Sequence, residues 1–238
     1  MSVVIDKPLI LNLETATEVC SVCLSRGEEV LALRETDKLS DHAKLITLLI
    51  QQCFSEANLN LKNLDAVAVS AGPGSYTSLR VGVSTAKGIC YALNKPLLEI
   101  DTLKALAFGT YQKEKQAAYY CPMIDARRME VYCALFDTNN NMVESGAAKI
   151  VDMSAWEEYF SAGKTIVFSG SGSEKCKVVL TSPLAIFSPV RCSSAHLVSF
   201  SSRAFSQCNF ADLALFSPHY LKHPNITTST KNKMWTEQ

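Results

Sequence analysis

The sequence lacks an excess of charge of either sign. Among its 238 residues, 23 Lys and Arg balance 23 Asp and Glu, so the formal net charge at pH 7 is zero. A protein that binds nucleic acid by itself, without sequence preference, usually needs an excess of positive charge. The composition therefore argues against such binding by this chain alone. The contents of 47% hydrophobic and 19% charged residues are those of an ordinary globular protein.

Long hydrophobic runs and export signals are also lacking. No apolar stretch reaches the roughly 18 residues that a membrane-spanning helix requires, and no basic segment followed by an apolar one begins the sequence. We therefore expect a cytoplasmic protein with no membrane association. The nine cysteines are scattered singly, which indicates reduced thiols. Cys20 and Cys23 lie in a β-type run, where residues three apart point to opposite faces, so we expect no redox pair.

Histidine is scarce, and its spacing argues against a helical metal site. The chain has four histidines, and the closest pair, His219 and His223, is flanked by two prolines that disfavour a helix. The sequence Gly-Pro-Gly-Ser at 72–75 does not match the Gly-x-Ser-x-Gly turn of serine hydrolases. We therefore predict no bound metal and no catalytic residue.

The most informative segment present is AGPGSYTSLRVG at 71–82. It follows a β-type run at 64–70 and leads into a helix-type run that ends at Leu93. Glycine tolerates unusual backbone angles, and Ser75 and Thr77 can cap the first N–H groups of the helix. Such a helix start can hold a phosphate or a carboxylate, but the same pattern also builds a tight turn with no ligand. It is not a Walker loop, because no Gly-Lys-Ser/Thr triplet follows.

Further motifs accompany this turn. They are ILNLETATEVCSV at 10–22, IDARRMEVY at 124–132 and a closing PHYLK at 218–222. In this order, the motifs resemble those of the TsaB (YeaZ-like) family, small paralogues of the glycoprotease-like TsaD proteins. Two positions depart from the family pattern, which usually has Asp at the place of Glu14 and Gly at the place of Ser78. Glu14 therefore carries its carboxylate on a side chain one methylene longer than the usual Asp.

The resemblance implies a part in making threonylcarbamoyladenosine beside the anticodon of certain tRNAs. In the family, TsaD transfers the threonylcarbamoyl group, TsaB is needed for that activity, and the ATPase TsaE associates with the pair. The implied role is a non-catalytic scaffold that forms a heterodimer with TsaD, or a homodimer when alone, and meets tRNA only through the complex. No cofactor is required, with ATP or ADP at the complex interface left open. The alternatives are a free-standing actin-fold ATPase and a glycoprotease-like peptidase.

The order of predicted elements indicates an α/β protein with two tandem subdomains. Residues 1–101 show the order of an actin-like ATPase (ribonuclease-H-like) subdomain, a mixed sheet flanked by helices, with Ser40 or Asp41 as the first helix cap. A looser second copy occupies 102–222, and a polar tail follows at 223–238. No sequence repeat is visible, so the duplication rests on the resemblance. The predicted helices are 41–57, 77–94, 103–113, 154–161, 172–180 and 194–208.

Besides the turn at 71–77, three segments are candidates for phosphate contacts. In actin-like ATPases, phosphates lie between one carboxylate loop from each subdomain, and the corresponding segments here are 14–17 and 125–127. The first lacks glycine and the second carries arginines where glycine is preferred, so both loops look degraded. The turn at 169–173 could serve a phosphate or only join a strand to a helix. The candidate nucleotide or anion contacts are Glu14, Thr15, Thr17, Gly72, Gly74, Ser75, Thr77, Gly170 and Gly172.

The two long helices of the first half carry more apolar or small-residue surface than one sheet can cover. Apolar residues of helix 41–57 spread over about 240° of its circumference. Helix 77–94 has a stripe of small residues, and a bulkier stripe from Leu79 to Leu93 should face the sheet. Either the two helices bury this excess against each other, or they contact another chain, which the resemblance implies is TsaD. The predicted interface residues are Leu45, Leu48, Leu49, Gln52, Ser78, Val81, Thr85, Gly88 and Ala92.

Overall fold

The computed structural model describes residues 7–36 and 41–222. The predicted tail at 223–238 and the candidate cap Ser40 lie outside these residues. The described chain forms two five-stranded sheets, one from each half of the sequence. None of the helices in this described part combines the length and apolar character needed to cross a membrane.

The first sheet has the strand order β3-β2-β1-β4-β5. Its strands are β1 (Leu9–Glu14), β2 (Cys20–Arg26), β3 (Glu29–Thr36), β4 (Ala66–Gly72) and β5 (Leu97–Asp101). The first three strands are antiparallel neighbours, whereas β4 pairs in parallel with β1 and β5. β1 and β4 are buried along their whole length, because elements pack on both faces of the sheet, and this accounts for their nearly continuous apolar sequences.

The second sheet repeats this arrangement. Its strands are β6 (Tyr119–Asp125), β7 (Glu130–Asp137), β8 (Met142–Ile150), β9 (Ile166–Ser169) and β10 (Ala185–Phe187), in the order β8-β7-β6-β9-β10. β6, β7 and β8 are antiparallel, and β9 is parallel to β6 and β10. Each strand therefore has a counterpart at the same place in the first sheet. The predicted pair of mixed sheets is confirmed, whereas the domain boundary after residue 101 stays a prediction.

One face of the first sheet is covered by two long helices, α1 (His42–Glu56) and α2 (Tyr76–Leu93). They match the predicted helices 41–57 and 77–94 to within a residue at each end. The sheet-facing stripe of α2 is buried as predicted, because its members recur at spacings of four and three residues. Its buried members are Leu79, Val83, Ala86 and Cys90, whereas Leu93, the last residue of the predicted stripe, is half-buried.

The other face of the first sheet is covered by residues that come much later in the chain. The remaining helices are α3 (Thr102–Lys113), α4 (Glu157–Ser161), α5 (Ser173–Cys176) and α6 (Val198–Ser206), the last preceded by a 3₁₀ turn at Ser194–Leu197. α6 falls within the predicted second subdomain, yet Leu197 and Phe200 pack on the first sheet. Ser201 Oγ donates a hydrogen bond of 2.6 Å to Asn12 Oδ1 of β1, which fixes α6 on that face.

The second half departs most from the predicted elements. The helix expected at 154–161 begins only after Trp156, which adopts a left-handed φ of 60°, and the helix expected at 172–180 ends at Cys176. Strand β10 was not predicted, because three residues are too few to show an alternating pattern. Ser193 caps the 3₁₀ turn before α6 by accepting a hydrogen bond from the Ala195 N–H. All nine cysteines are free thiols.

Candidate functional site

Three separate segments meet at a cleft beside the start of α2. Residues 74–77, the β6–β7 turn at 125–127 and the C-terminal residues 220–222 line a cavity of about 340 Å³ together with Tyr132. Each segment belongs to one of the motifs found in the sequence. Of the predicted anion contacts, the structure brings Gly74, Ser75 and Thr77 to this cavity. The other six candidates, Glu14, Thr15, Thr17, Gly72, Gly170 and Gly172, do not line it.

The glycine-proline turn after β4 packs tightly against two other parts of the chain. Gly72 has a φ of +112°, and a Cβ there would lie 2.5 Å from the carbonyl oxygen of His219. A Cβ on Gly74 would lie 2.4 Å from the carbonyl oxygen of Ala16, which also accepts a hydrogen bond from the Ser75 N–H at 2.7 Å. Both glycines are therefore required by the packing of the chain itself. The backbone of His219 fills the space against Gly72.

The hydroxyl groups at the start of α2 do not cap the helix. Ser75 immediately precedes the helix, but its side chain makes no capping hydrogen bond. Its hydroxyl instead lies 3.0 Å from the hydroxyl of Ser78, the residue that replaces the glycine usual in the family. Thr77 lies inside the first turn, exposed beside the cleft. The capping role predicted for Ser75 and Thr77 is therefore wrong, and both hydroxyl groups stand beside the cavity.

Glu14 is buried beneath this turn rather than directed into the cleft. Its Oε1 accepts hydrogen bonds from the Ala16 N–H at 2.6 Å and from the Ser70 hydroxyl at 2.9 Å. Burial raises the pKa of the Glu14 carboxyl to about 7, although these hydrogen bonds act in the opposite direction. No basic side chain of the described residues forms an ion pair with it. The carboxylate is thus engaged by its own loop and strand β4.

The two threonines that follow Glu14 are also directed inward. Thr15 Oγ1 is buried without a hydrogen-bond partner, and a Cβ on Gly82 would lie 2.3 Å from it. Thr17 Oγ1 accepts a weak hydrogen bond of 3.4 Å from the Val19 N–H. The 14–17 loop therefore packs against the turn after β4 and the start of α2. Across the described residues, no cluster of three or more His, Cys, Asp or Glu side chains is arranged to hold a metal ion.

The second carboxylate loop is held by a lysine that the sequence motifs did not reveal. Lys175 of α5 forms an ion pair with Asp125 and donates hydrogen bonds to the carbonyl oxygens of Arg128 and Glu130 at 2.7 and 2.8 Å. The Asp125 carboxylate also accepts from the Arg127 N–H at 2.9 Å. With its backbone held in this way, the loop keeps two consecutive residues, Arg127 and Arg128, at positive φ values of 71° and 53°. Both arginine side chains are exposed, and Arg127 lines the cleft.

The turn at 169–173 is closed by the neighbouring strand. Gly170 has a φ of +90°, and a Cβ there would lie 2.4 Å from the carbonyl oxygen of Met123. The Gly172 N–H donates to that same oxygen at 2.9 Å. Ser171 Oγ accepts a hydrogen bond from the Asp125 N–H at 3.2 Å. The two glycines thus allow close packing of β9 and α5 against β6, and their predicted contact with an anion stays a prediction.

The C-terminal segment 211–222 crosses the first sheet and reaches the second. Lys87 Nζ of α2 donates to the carbonyl oxygens of Ala214 and Phe216, both at 3.1 Å. Beyond this point the His219 N–H donates to the carbonyl oxygen of Ala71 at 2.7 Å. The rings of Tyr220 and Tyr76 lie 4.7 Å apart, and Lys222 forms an ion pair with Glu130 of β7. The closing motif therefore forms one wall of the cleft and connects the two halves.

The predicted interface residues of α1 divide between core and surface. Leu49 lies in the core of the first sheet, so its assignment to a partner interface is wrong. Leu48 is 51% exposed, Gln52 is exposed and Leu45 is half-buried.

The predicted small-residue stripe of α2 lies on the surface. Gly88 and Ala92 are exposed, whereas Ser78, Val81 and Thr85 are half-buried. A Cβ added to Gly88 would meet no atom within 4 Å. The starts of α1 and α2 border an open groove of about 470 Å³, whose lining includes Val81 and Thr85. The part of the stripe at Gly88 and Ala92 is therefore open to solvent, whereas the part from Ser78 to Thr85 is partly covered.

The fold and its motifs define a class of protein. The sequence model of the family described as "TsaD: tRNA N6-adenosine threonylcarbamoyltransferase" matches residues 37–232, and the chain belongs to this family. Within it, the chain is similar to the proteins called TsaB. It is 33% identical over 137 residues to the "tRNA threonylcarbamoyladenosine biosynthesis protein TsaB" of Escherichia coli, a match that covers 58% of each chain. The identity to the TsaB of Bacillus subtilis is 24%, over 90% of this chain and 93% of that one.

A solved structure agrees with this assignment. "YeaZ from Pseudomonas aeruginosa" superposes with a TM-score of 0.78 at 25% identity, covering 90% of this chain and all of that one. The expected resemblance to TsaB (YeaZ-like) proteins and the expected actin-like fold are thereby confirmed. The aligned part spans between 51% and 62% of the length of three curated TsaB relatives.

Proposed function

We propose that this chain acts in the synthesis of threonylcarbamoyladenosine in tRNA, as a scaffold subunit that binds and activates TsaD. Its family and its similarity to TsaB proteins support the pathway. The loops that would hold phosphates in an actin-like ATPase support a non-catalytic role. Glu14 is engaged by Ala16 and Ser70, and the space against Gly72 is filled by His219.

The observation that carries the scaffold role is the exposed face of α1 and α2. Leu48 is half exposed, and Gly88 and Ala92 of the small-residue stripe are exposed. Small residues let two helix backbones approach closely, and exposed apolar residues beside them add buried area on association. We assign this face to the contact with TsaD, and to a second copy of the chain when TsaD is absent. TsaE joins the pair, and tRNA is bound through the complex.

Cofactor use and location follow from the same proposal. The subunit requires no cofactor in this proposal, and binding of ATP or ADP at the interface of the complex stays open. The cytoplasm is the expected location. A free-standing ATPase is the alternative, and its sign would be ATP turnover on the order of 1 s⁻¹ by the pure chain.

The substitution Gly88→Leu tests the assigned face. Because no atom lies within 4 Å of the added Cβ, the variant should fold normally. In a complex, the leucine should separate the two helix backbones and weaken association with TsaD at least about tenfold. Sedimentation with the TsaD of the same organism measures the association, and tRNA modification by the mixture measures activation.

Two control variants separate interface from core. Val83→Asp places a charge in the core of the first sheet and should unfold the chain, which circular dichroism detects. Thr181→Leu places the same leucine side chain at an exposed position in the other half and should leave association unchanged. If a folded Gly88→Leu variant bound TsaD with wild-type affinity, the proposal that this face contacts TsaD would be wrong.

A further inference from the structure

The cleft beside the start of α2 carries uncompensated positive charge. Asp125 is the one acidic residue among the described residues that line it, and its carboxylate is paired with Lys175. Lys222, which also lines the cleft, is paired with Glu130 of β7. Arg127 lines the cleft as well and forms no ion pair with any described side chain. In a chain whose formal net charge is zero, this is a local excess of positive charge.

Two further exposed arginines add to this charge. Arg128 follows Arg127 in the β6–β7 turn. Arg80 of α2 places its Cζ 5.1 Å from the centre of the Tyr76 ring, which lines the cleft, and its Nη1 donates to the Tyr76 hydroxyl at 3.1 Å. Neither arginine forms an ion pair among the described residues. These three residues are called the arginine patch, and guanidinium groups bind phosphate oxygens well because they donate two parallel hydrogen bonds.

The turn that carries two of these arginines has an unfavourable backbone conformation. Arg127 and Arg128 have φ values of 71° and 53°, and non-glycine residues keep such angles only where the surrounding structure fixes them. Lys175 fixes this turn through the Asp125 carboxylate and the carbonyl oxygens of Arg128 and Glu130. The chain therefore presents both arginines to solvent from a backbone that is already ordered, which lowers the entropy lost on binding.

Aromatic rings lie beside the arginine patch. Tyr76, Tyr132 and Tyr220 all line the cleft. The rings of Tyr76 and Tyr220 lie 4.7 Å apart, and these two residues are 37% and 36% exposed. Proteins that bind single-stranded nucleic acids combine positive groups, which follow the phosphates, with aromatic rings on which the bases stack. An acidic peptide would pair with the arginines, but it has no base to stack on the tyrosines.

From this combination we infer that the arginine patch and the cleft bind an unpaired segment of RNA. Its phosphates pair with Arg80, Arg127 and Arg128, and a base stacks on the exposed tyrosines at the cleft. The choice of RNA rests on the proposed function, in which the complex acts on tRNA. Because three arginines neutralise few phosphates, the contact is weak in this chain alone and adds to the affinity of the whole complex for tRNA.

Fluorescence anisotropy of the full chain with labelled decauridylate, at pH 7 in about 50 mM KCl, tests the inference. We expect a Kd of about 100 μM for the wild type, and binding at least about tenfold weaker for the double variant Arg127→Gln/Arg128→Gln. The dependence of log affinity on log salt should become less steep by about 0.7 for each arginine removed, a change that a structural role would not produce. A wild-type Kd above about 1 mM, or an unchanged salt dependence in the double variant, would overturn the inference.

A matched variant and two competitors identify what the arginine patch recognises. Arg26→Gln/Arg203→Gln removes two exposed charges that do not line the cleft, and it should bind decauridylate normally. Unlabelled decauridylate should displace the label at about one tenth, or less, of the concentration that decaglutamate or ATP requires. An equal loss in the control variant, or displacement by decaglutamate or ATP at the concentration of decauridylate, would contradict the assignment to RNA.

The titration uses this chain alone, so its result does not depend on activation of TsaD. In a mixture with TsaD, the Arg127→Gln/Arg128→Gln variant should sediment with TsaD as the wild type does, because the face of α1 and α2 is unchanged. The KM for tRNA should rise at least about threefold while kcat stays the same. An unchanged KM would contradict the inference. If the wild-type chain failed to bind TsaD, the proposed function would be wrong, and the RNA titration would still decide whether the patch binds RNA.

Discussion

The two halves of the molecule contain equivalent glycine turns that are closed by different neighbours. Gly72 ends β4 and Gly170 follows β9, the strands that occupy the same place in the two sheets. Both have positive φ, and at both a Cβ would approach a carbonyl oxygen to about 2.5 Å or less. In the first half that oxygen belongs to His219 of the C-terminal segment, and in the second to Met123 of the adjacent strand.

This difference shows that a glycine motif can have the same local geometry and different dependence on the rest of the chain. The second turn is part of the packing within its own sheet. The first turn is completed by residues that follow the whole second sheet in the sequence. Its tight geometry therefore depends on the C-terminal segment staying in place, whereas the geometry of the second turn does not.

The largest expected effect is that of Gly170→Ala. The added Cβ meets a carbonyl oxygen inside the sheet and must adopt a φ of +90°, so neither strain nor overlap can be relieved cheaply. We expect a loss of about 4 kcal/mol in the free energy of unfolding, measured by urea denaturation. An effect below about 1 kcal/mol would show that β6 moves easily and that the second turn is not rigid.

The first turn also packs on a buried titratable group, the carboxyl of Glu14, and this makes the stability of the protein depend on pH. Burial raises the pKa of Glu14 to about 7, so the folded chain retains a proton that the unfolded chain releases. This makes the free energy of unfolding fall as the pH rises from about 4.5 to 7. The pKa of His196 is lowered to about 4 by burial, so its contribution rises with pH between about 4 and 6.5.

Substituting either residue should leave the free energy of unfolding with only the pH dependence that the other residue contributes. Relative to wild type, Glu14→Gln should gain up to about 3 kcal/mol of stability as the pH increases from 4.5 to 7. His196→Gln should lose a similar amount, relative to wild type, as the pH increases from 4 to 6.5. Thermal denaturation over this pH range measures both, and parallel curves for the three proteins would contradict both burial effects.

A smaller effect should distinguish the two turns directly. Removing residues 217–238 takes away the His219 carbonyl oxygen, so Gly72→Ala should be less destabilising in the shortened chain, by about 1–2 kcal/mol. Gly170→Ala should cost the same in both backgrounds. A chain ending at Lys222 controls for loss of the tail. Equal costs of Gly72→Ala in all backgrounds would mean that the C-terminal segment does not close the first turn.

The sequence predicted well those features that depend on local periodicity. The buried stripe of α2 follows from spacings of three and four residues, and the antiparallel strands β1 to β3 follow from their apolar pattern. The resemblance supplied the duplication, and the PHYLK motif correctly marked a segment of interest. The cleft position of that motif was not predicted, because nothing local to it specifies contacts with Ala71 or Glu130.

Features that depend on distant contacts were missed or wrongly assigned. Leu49 belongs to the apolar stripe of α1 in sequence, and only the packing of α1 on the sheet decides that it is buried. The hydroxyl of Ser75 pairs with Ser78 rather than with the backbone, a choice between two nearby partners that the sequence leaves open. Lys175 forms an ion pair with Asp125, fifty residues earlier in the chain. No local sequence motif could have predicted this contact.

The position of α6 on the first sheet has a consequence for the order in which the protein can be completed during translation. Strands β1, β4 and β5 emerge from the ribosome early, with Ile10, Ala66, Ala68, Leu98 and Ile100 all on one apolar face. The residues that finish covering this face, Leu197 and α6, are made only after the entire second sheet. Until then the nascent chain carries an unfinished hydrophobic surface, which is a site for aggregation or for a chaperone. The two halves repeat each other in architecture, but the first is completed last.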